Sequence, residues 1–123
     1  DERLKNVQGP FVAGLKEVAR IRPILYRWKS KSGMETENTY AGFSSQNVLK
    51  VLPKAIGVSP DGYYSLSDRT ILAAAINAIK ELKDEVDLLR SKLGMVAKDY
   101  TVVEEIDDSN AIKSGMPKEP VLE

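Results

Sequence analysis

Charged residues that could do chemistry stand near both ends of the chain. The opening stretch reads Asp1-Glu2-Arg3-Leu4-Lys5, and paired acids follow near the other end at Glu104-Glu105 and Asp107-Asp108. Carboxylates can bind cations, but these pairs lack the spaced ligands of a metal site and are interpreted as a solvated face. Taken alone, Lys5 is interpreted as a solvated side chain and Arg3 as a surface or salt-bridging residue. We therefore predict no metal and no obligatory cofactor.

The composition excludes several classes of protein. The chain of 123 residues has no cysteine and no histidine, which removes thiol nucleophiles, disulfides and the commonest general base. Its 18 basic and 18 acidic residues cancel without a long run of one sign. We therefore expect neither nucleic acid nor a membrane as a partner. The length suits one domain with an extension.

Paired strands are predicted in the first half of the chain. Residues 24–29 alternate large apolar side chains with smaller or polar ones, which predicts a strand paired with another at 39–43. The turn sequence at 60–62, Pro-Asp-Gly, predicts a second pair at 56–58 and 63–66. The large apolar side chains on these strands are expected to pack in the core: Ile24, Tyr26, Trp28, Phe43, Tyr63 and Tyr64. For the aromatic rings among them, stacking against carbohydrate is the minor alternative.

Short helices and a late strand complete the predicted globular part. Apolar residues at helical spacing predict a helix within residues 11–22. A second helix, of two turns, is capped by Ser44 or Ser45 and ended by Pro53. One more strand is predicted at 100–106, followed by a polar tail without periodicity.

A heptad seam on the longest predicted helix is the most specific physical pattern in the sequence. The helix begins at Ser65 or Ser67 and ends at Gly94. Glu85 at a g position and Arg90 at the following e position can form an ion pair between two chains. The a and d positions, which alternate by threes and fours, are Leu72, Ala75, Ile79, Leu82, Val86, Leu89 and Leu93. We therefore predict self-association through this helix.

The seam leaves alternatives open. One is an amphipathic helix that lies on its own domain. Another concerns the number of chains, because β-branched residues at a with leucine at d favour dimers, whereas Ala75 with Ile71 and Ile76 widens the apolar stripe toward higher order. The pattern predicts an oligomer and does not fix its size.

The predicted fold class is α+β, a small mixed domain of short strands and helices with one long helix that forms a coiled coil. Residues 1–66 are expected to form the globular core and residues 67–94 the oligomerisation helix. Residues 95–123 are expected to hold the late strand and the polar tail.

Several stretches, taken in order, point to a known family. They read DERLK at 1–5, IRPILYRW at 21–28, AGFSSQNV at 41–48, DGY at 61–63 and AAINAIKEL at 74–82. Over about residues 1–93 the chain resembles the endosialidase-type intramolecular chaperone domain at the C-terminus of phage tail spikes and tail fibres. The resemblance implies a homotrimer that aligns the chains of an upstream β-rich fibre, directs their folding and then cuts itself off.

The same resemblance implies site residues at the start of the chain. In the family, a serine directly precedes the Asp-x-Arg-Leu-Lys stretch and forms a catalytic serine–lysine dyad with the lysine, which is Lys5 here. The scissile bond then lies just before Asp1, and a chain that begins there is expected to be the product of the cut. The dyad suits a protein without histidine, because a desolvated lysine can lose its proton near neutral pH and accept that of serine. Arg3 belongs, by the same resemblance, to the cleavage-site segment.

Gln46 matches a glutamine of the family's core motif. The resemblance implies that it supports the cleavage site by hydrogen bonding, and the alternative is an ordinary polar residue at a helix start. Many members carry a histidine two residues before the glycine of that motif, where this chain has Tyr40. The chain therefore departs from the family in any step of cleavage that depends on this histidine.

The expected setting follows from the resemblance as well. We expect the domain to act in the host cytoplasm during phage assembly and to be absent from the mature virion after release. The alternative function is a non-enzymatic coiled-coil oligomerisation or interaction module. An upstream β-rich fibre with serine before Asp1 distinguishes the first function from the second.

Overall fold

The computed structural model describes residues 1–95 of the chain. They form two short antiparallel strand pairs, short helices and one long helix. The arrangement is α+β, as the sequence predicts. The late strand predicted at 100–106 and the polar tail lie outside the described residues.

The first strand pair joins β1, Pro23–Tyr26, to β2, Tyr40–Phe43. Pro23 lies opposite Phe43 and Tyr26 opposite Tyr40 in an antiparallel register. The predicted pairing is confirmed, although β1 ends at Tyr26 and not at residue 29. The ring of Tyr26 contacts Tyr40, with centroids 5.8 Å apart, and meets Trp28 edge-on at 5.2 Å.

The second strand pair joins β3, Ile56–Val58, to β4, Tyr64–Leu66, with Ile56 opposite Leu66. The turn between them forms as its residues require. The backbone N–H of Tyr63 donates to Oδ1 of Asp61 at 3.1 Å, and Gly62 has a φ of 86°, which favours glycine.

Short helices precede and follow the first strand pair. Helix α1 is Leu15–Val18, much shorter than the predicted helix within 11–22, because the carbonyls of Phe11 and Ala13 instead accept hydrogen bonds from Asn77 of the long helix. Helix α2 is Ser45–Val51. Ser44 caps it, since its Oγ accepts a hydrogen bond from the backbone N–H of Asn47 at 3.4 Å.

The long helix α3 is Asp68–Lys92. Ser67 occupies the cap position, but its side chain makes no capping hydrogen bond. At the other end Gly94 has a φ of 73°, and the N–H of Met95 donates to the carbonyl of Arg90 at 2.7 Å. This left-handed glycine ends the helix where the sequence predicts.

The core lies between α2 and the first half of α3. Its buried cluster consists of Val48, Leu52, Ala55 and Ala74. Ala78, one turn further along α3, is also buried. Alanines on α3 let the helix approach closely, and partly buried apolar side chains surround the cluster, among them Phe11, Val18, Ile21, Phe43, Ile56, Leu66 and Ile71.

The predicted burial of most strand aromatics is wrong for the single chain. Phe43 packs against the core and Tyr26 is half-buried. Ile24, Trp28, Tyr63 and Tyr64 are exposed, with 61% of Tyr63 accessible. Alternation identifies which side chains share a face of a strand, but within residues 1–95 no further layer covers this face of the two-stranded ribbons.

Candidate functional site

The opening stretch folds into a 3₁₀ turn, Glu2–Leu4. Asp1 caps the turn, because its Oδ1 accepts a hydrogen bond from the backbone N–H of Arg3 at 2.9 Å. The Nε of Arg3 also donates to both carboxylate oxygens of Asp1 at 2.9 Å. The two charged residues of the predicted cleavage-site segment are therefore paired with each other on the surface.

Lys5 closes this turn and displays its side chain to solvent. Its backbone N–H donates to the carbonyl of Glu2 at 2.9 Å, and Lys5 itself has an extended backbone. The hydrogen bonds of residues 1–8 within the described part of the chain are all local. Both Asp1 and Lys5 therefore lie exposed at the two ends of the turn in the single chain.

Gln46 lies in the first turn of α2 and is exposed. Its Oε1 accepts a long hydrogen bond of 3.5 Å from the hydroxyl of Ser44. No hydrogen bond within residues 1–95 joins Gln46 to the opening stretch. The single chain does not bring together Lys5 and Gln46, and the role implied for Gln46 stays a prediction.

The exposed aromatic residues line an open groove next to Gln46. A cavity of about 450 Å³ lies between Trp28, Tyr63, Tyr64 and Gln46, with Arg27 and two lysines at its edge. The groove therefore combines the positive charge of Arg27 and the two lysines with the apolar surface of the aromatic rings. The groove does not include Lys5.

Tyr40, which stands at the family's histidine position, is held by Glu35. The Tyr40 hydroxyl donates to Oε2 of Glu35 at 2.7 Å, and the backbone N–H and side chain of Asn38 donate to the same carboxylate at 2.7 Å. The Asn38 backbone N–H and then the Tyr40 hydroxyl lower the pKa of Glu35 to about 2. Tyr40 thus closes the loop between β1 and β2, and its own pKa is raised by this hydrogen bond.

The predicted seam forms one continuous face of α3 and stays uncovered in the single chain. Leu72, Ile79, Leu82, Val86, Leu89 and Leu93 are all exposed, from 44% at Val86 to 77% at Leu93. Ala75 is half-buried. An uncovered stripe of this length is unusual on a soluble monomer and is typical of an interaction surface.

A different face of α3 packs against the domain. Ala74 and Ala78 point into the core, and Asn77 lies beside them. At about 100° of rotation per residue, this face and the seam are separated by roughly a quarter of a turn. The helix therefore fills the core with one face and leaves the seam free for another partner.

Asn77 and Glu81 of α3 fasten the segment that follows the opening stretch. The side-chain amide of Asn77 donates to the carbonyl oxygens of Phe11 and Ala13 at 2.7 and 2.8 Å. Oε2 of Glu81 accepts a hydrogen bond from the backbone N–H of Leu15 at 3.3 Å. Sequence reasoning gave neither residue a role, although an asparagine inside the apolar run AAINAI is a poor helix former and marks a polar contact.

Asn47 makes a similar contact from α2. Its Oδ1 accepts from the backbone N–H of Arg22 at 2.9 Å, and its Nδ2 donates to the carbonyl of Arg20 at 3.2 Å. This side chain fixes the approach to β1. Asparagine side chains thus replace backbone partners on both sides of α1.

Metal and membrane sites are not found in the described residues. Within residues 1–95 no group of three or more carboxylates is placed to hold a metal ion. None of the helices in this range combines the length and the apolar character of a membrane span. The paired acids at 104–108 lie outside the described residues.

Comparison with known proteins finds a family model and curated relatives that match this chain. A family model described as "Chaperone of endosialidase" matches residues 1–57. The long tail fiber protein Gp37 of Enterobacteria phage K3 is 30% identical over 97 residues, which cover 76% of this chain and 8% of that protein. The Gp37 protein of Enterobacteria phage T2 is also 30% identical, and 7% of its length is covered. The chain thus spans less than a tenth of these curated relatives.

Proposed function

Residues 1–57 belong to the chaperone-of-endosialidase family of phage tail fibres, and from this premise we propose that the chain is a self-cleaving intramolecular chaperone. It trimerises, directs the folding of an upstream tail-fibre or tail-spike segment of the same polypeptide, and is then released by cleavage just before Asp1. Its partners are two further copies of itself and the fibre segment. No nucleic acid, membrane or cofactor takes part.

The observation that supports assembly is the uncovered seam. A helix with one face in the core and a heptad face in solvent can bury that heptad face against copies of itself. Ile76, at the e position beside the seam, is also exposed and widens the apolar stripe. A wide stripe suits a trimer better than a dimer, because each helix of a trimer faces two neighbours.

The proposed cleavage chemistry uses a serine before Asp1 and Lys5 as its base. Lys5 takes the proton of the serine hydroxyl, and the serine oxygen bonds to the carbonyl carbon of the peptide bond before Asp1. That peptide bond breaks, Lys5 returns the proton to the leaving amine of Asp1, and water then hydrolyses the ester, so that the fibre keeps the serine. The 3₁₀ turn is compatible with this role, because its hydrogen bond from the Lys5 backbone N–H to the carbonyl of Glu2 folds the chain back between Asp1 and Lys5. The Asp1–Arg3 pair holds the turn beside the bond to be cut.

Assembly is expected to switch this chemistry on. Lys5 is exposed in the single chain. Burial against neighbouring copies and the fibre would favour the neutral amine. Cleavage would then follow correct assembly, and the released domain would leave the fibre in the host cytoplasm and be absent from the mature virion.

The test uses a precursor that contains the chain with its native upstream fibre segment. Wild-type precursor is expected to release a fragment, whereas Lys5→Ala is expected to remain uncut and still form a trimeric fibre. Lys50→Ala is the matched control, because Lys50 is an exposed lysine on α2 outside the site. Release by Lys5→Ala at the wild-type rate contradicts the proposed dyad.

The same test addresses the plain oligomerisation module. The uncovered seam by itself would serve such a module equally well. A wild-type precursor that trimerises and is never cut favours the module. A precursor that is cut in a Lys5-dependent manner excludes it.

A further inference from the structure

We propose that Asn77 and Glu81 are positioning residues that connect assembly along the seam to the segment that leads to Lys5. This inference rests on the proposed function, because it concerns how the same cleavage site responds to trimerisation. It names residues that touch neither the serine nor the scissile bond and act through the backbone of residues 11–15.

The first step is the hydrogen bonding of residues 11–15, which we call the clasped segment. Residues 11–14 lie outside the helices and strands, so their backbone groups have no ladder partners. The side-chain amide of Asn77 donates hydrogen bonds to the carbonyls of Phe11 and Ala13. The carboxylate of Glu81 accepts one from the backbone N–H of Leu15. Side chains of α3 thus take the place of a neighbouring strand.

The second step is the closeness of this contact. A Cβ added to Gly14 would lie 3.2 Å from the Cβ of Asn77 and would overlap the carboxylate of Glu81. The N–H of Gly14 is already bonded to Oε2 of Glu17 at 2.9 Å. The clasped segment therefore lies directly on the surface of α3 with no room for displacement toward it.

The third step is the direction of the clasped segment. Phe11 and Ala13 bond to Asn77, and Leu15 bonds to Glu81, one turn later. The segment therefore runs parallel to α3, and the preceding residues lead toward the start of the helix. Phe11 lies beside Thr70 and Ala73 there, which agrees with this direction.

The fourth step is the position of the contact relative to the seam. With Ile79 at an a position and Leu82 at a d position, Asn77 falls at f and Glu81 at c, on the outer side of the helix. Assembly through the seam leaves these side chains accessible to the clasped segment. A trimer would therefore carry each clasped segment at a fixed place on its outer surface and would anchor, at residue 11, the stretch of chain that leads back to Lys5.

The test measures release from the precursor with its native upstream fibre segment, at a temperature well below unfolding. Asn77→Ala is expected to sediment as the wild-type trimer and to release the fragment more slowly, on the order of 10- to 100-fold, because misplacement of a reacting group costs that much. Asp84→Ala is the matched control, since Asp84 is exposed at the next f position of the same helix and is expected to cleave at the wild-type rate. A merely stabilising role would lower the melting temperature and leave this rate unchanged.

A second pair of variants decides the case if Asn77→Ala fails to assemble. Glu81→Gln keeps an oxygen that accepts from Leu15, whereas Glu81→Ala removes it. Slower release by Glu81→Ala than by Glu81→Gln, in trimers of equal stability, supports the positioning role. Equal rates in this pair, or a trimeric Asn77→Ala that cleaves as fast as the wild type, overturn it. A wild-type precursor that is never cut contradicts the proposed function and this role with it.

Discussion

Ala78 is 3% exposed, while Ile79, the next residue on α3, is 62% exposed. Adjacent residues on a helix differ by about 100° in direction, so one faces the core and the other faces away. The alanine face of α3 therefore contributes to the core of the single chain, whereas the isoleucine face does not. This division lets the seam be changed without opening the core.

The first prediction concerns the seam. Replacing Ile79 and Val86 with aspartate is expected to dissociate the proposed trimer, because each substitution would place a charge in the proposed interface at a cost of several kcal/mol. Sedimentation equilibrium at micromolar concentration measures the change. The monomers are expected to keep the circular dichroism of the domain, since both positions are exposed in the single chain.

The control for the seam is Lys80→Asp, an equally drastic change of charge at the exposed position next to Ile79. It is expected to leave the trimer intact. If the wild-type chain sediments as a stable monomer, or if the seam variant remains trimeric, the assignment of this face to self-association is wrong.

The second prediction distinguishes a role of Lys5 as a base from a role of its positive charge. Lys5→Arg is expected to block release, because a guanidinium group keeps its proton at any pH that the protein survives and cannot accept one from serine. Lys50→Arg is expected to release the fragment normally. Gel analysis of the precursor over time measures both. Efficient cleavage by Lys5→Arg would mean that a positive charge orients the segment and that another group is the base.

The third prediction concerns pH and the loop between β1 and β2. An NMR titration of the Glu35 carboxyl is expected to give a pKa of about 2, against an ordinary value of 4.5. Because the pKa of Glu35 is lower in the folded state than in the unfolded state, the ionised carboxylate stabilises the fold above pH 4.5. This stabilisation is lost as the pH falls toward 2. Tyr40→Phe removes one donor and is expected to raise the pKa of Glu35.

The control for this titration is Tyr26→Phe, which removes a hydroxyl from the adjacent ring without touching Glu35. It is expected to leave the Glu35 pKa near the wild-type value. An unchanged value in Tyr40→Phe would show that the hydroxyl does not bond to the carboxylate in solution.

The fourth prediction tests the core. Leu52→Ala is expected to lower the free energy of unfolding by roughly 2–5 kcal/mol, because Leu52 is buried in the cluster between α2 and α3. Leu25→Ala deletes the same atoms on β1, where the side chain is 76% exposed, and is expected to cost much less. Chemical denaturation compares the two. Equal losses would mean that Leu25 is covered by another chain in the assembled protein.

The sequence predicted the elements whose signals are local. Gly62 and Asp61 specify their turn through backbone conformation and a hydrogen bond within two residues, and Ser44 caps α2 in the same local way. The seam also followed from local spacing. Such features depend on neighbours in sequence, so one amino-acid sequence contains the information needed to predict them.

The features that sequence did not predict depend on distant contacts. The helix within residues 11–22 shrinks to Leu15–Val18 because Asn77, far along the chain, bonds the residues before it. Trp28 and Tyr63 are exposed because burial needs a covering layer, which alternation does not supply. Under the proposed function, the place of Lys5 relative to Gln46 depends on contacts between chains, which residue spacing within one chain does not predict.

The central claim, cleavage just before Asp1 by an assembled chaperone, is tested most directly by N-terminal sequencing of the fragment released from the native precursor. The account predicts a single terminus that reads Asp-Glu-Arg-Leu-Lys, with serine as the last residue of the retained fibre. A fragment that begins at any other residue, or a trimeric precursor that releases none, would contradict it.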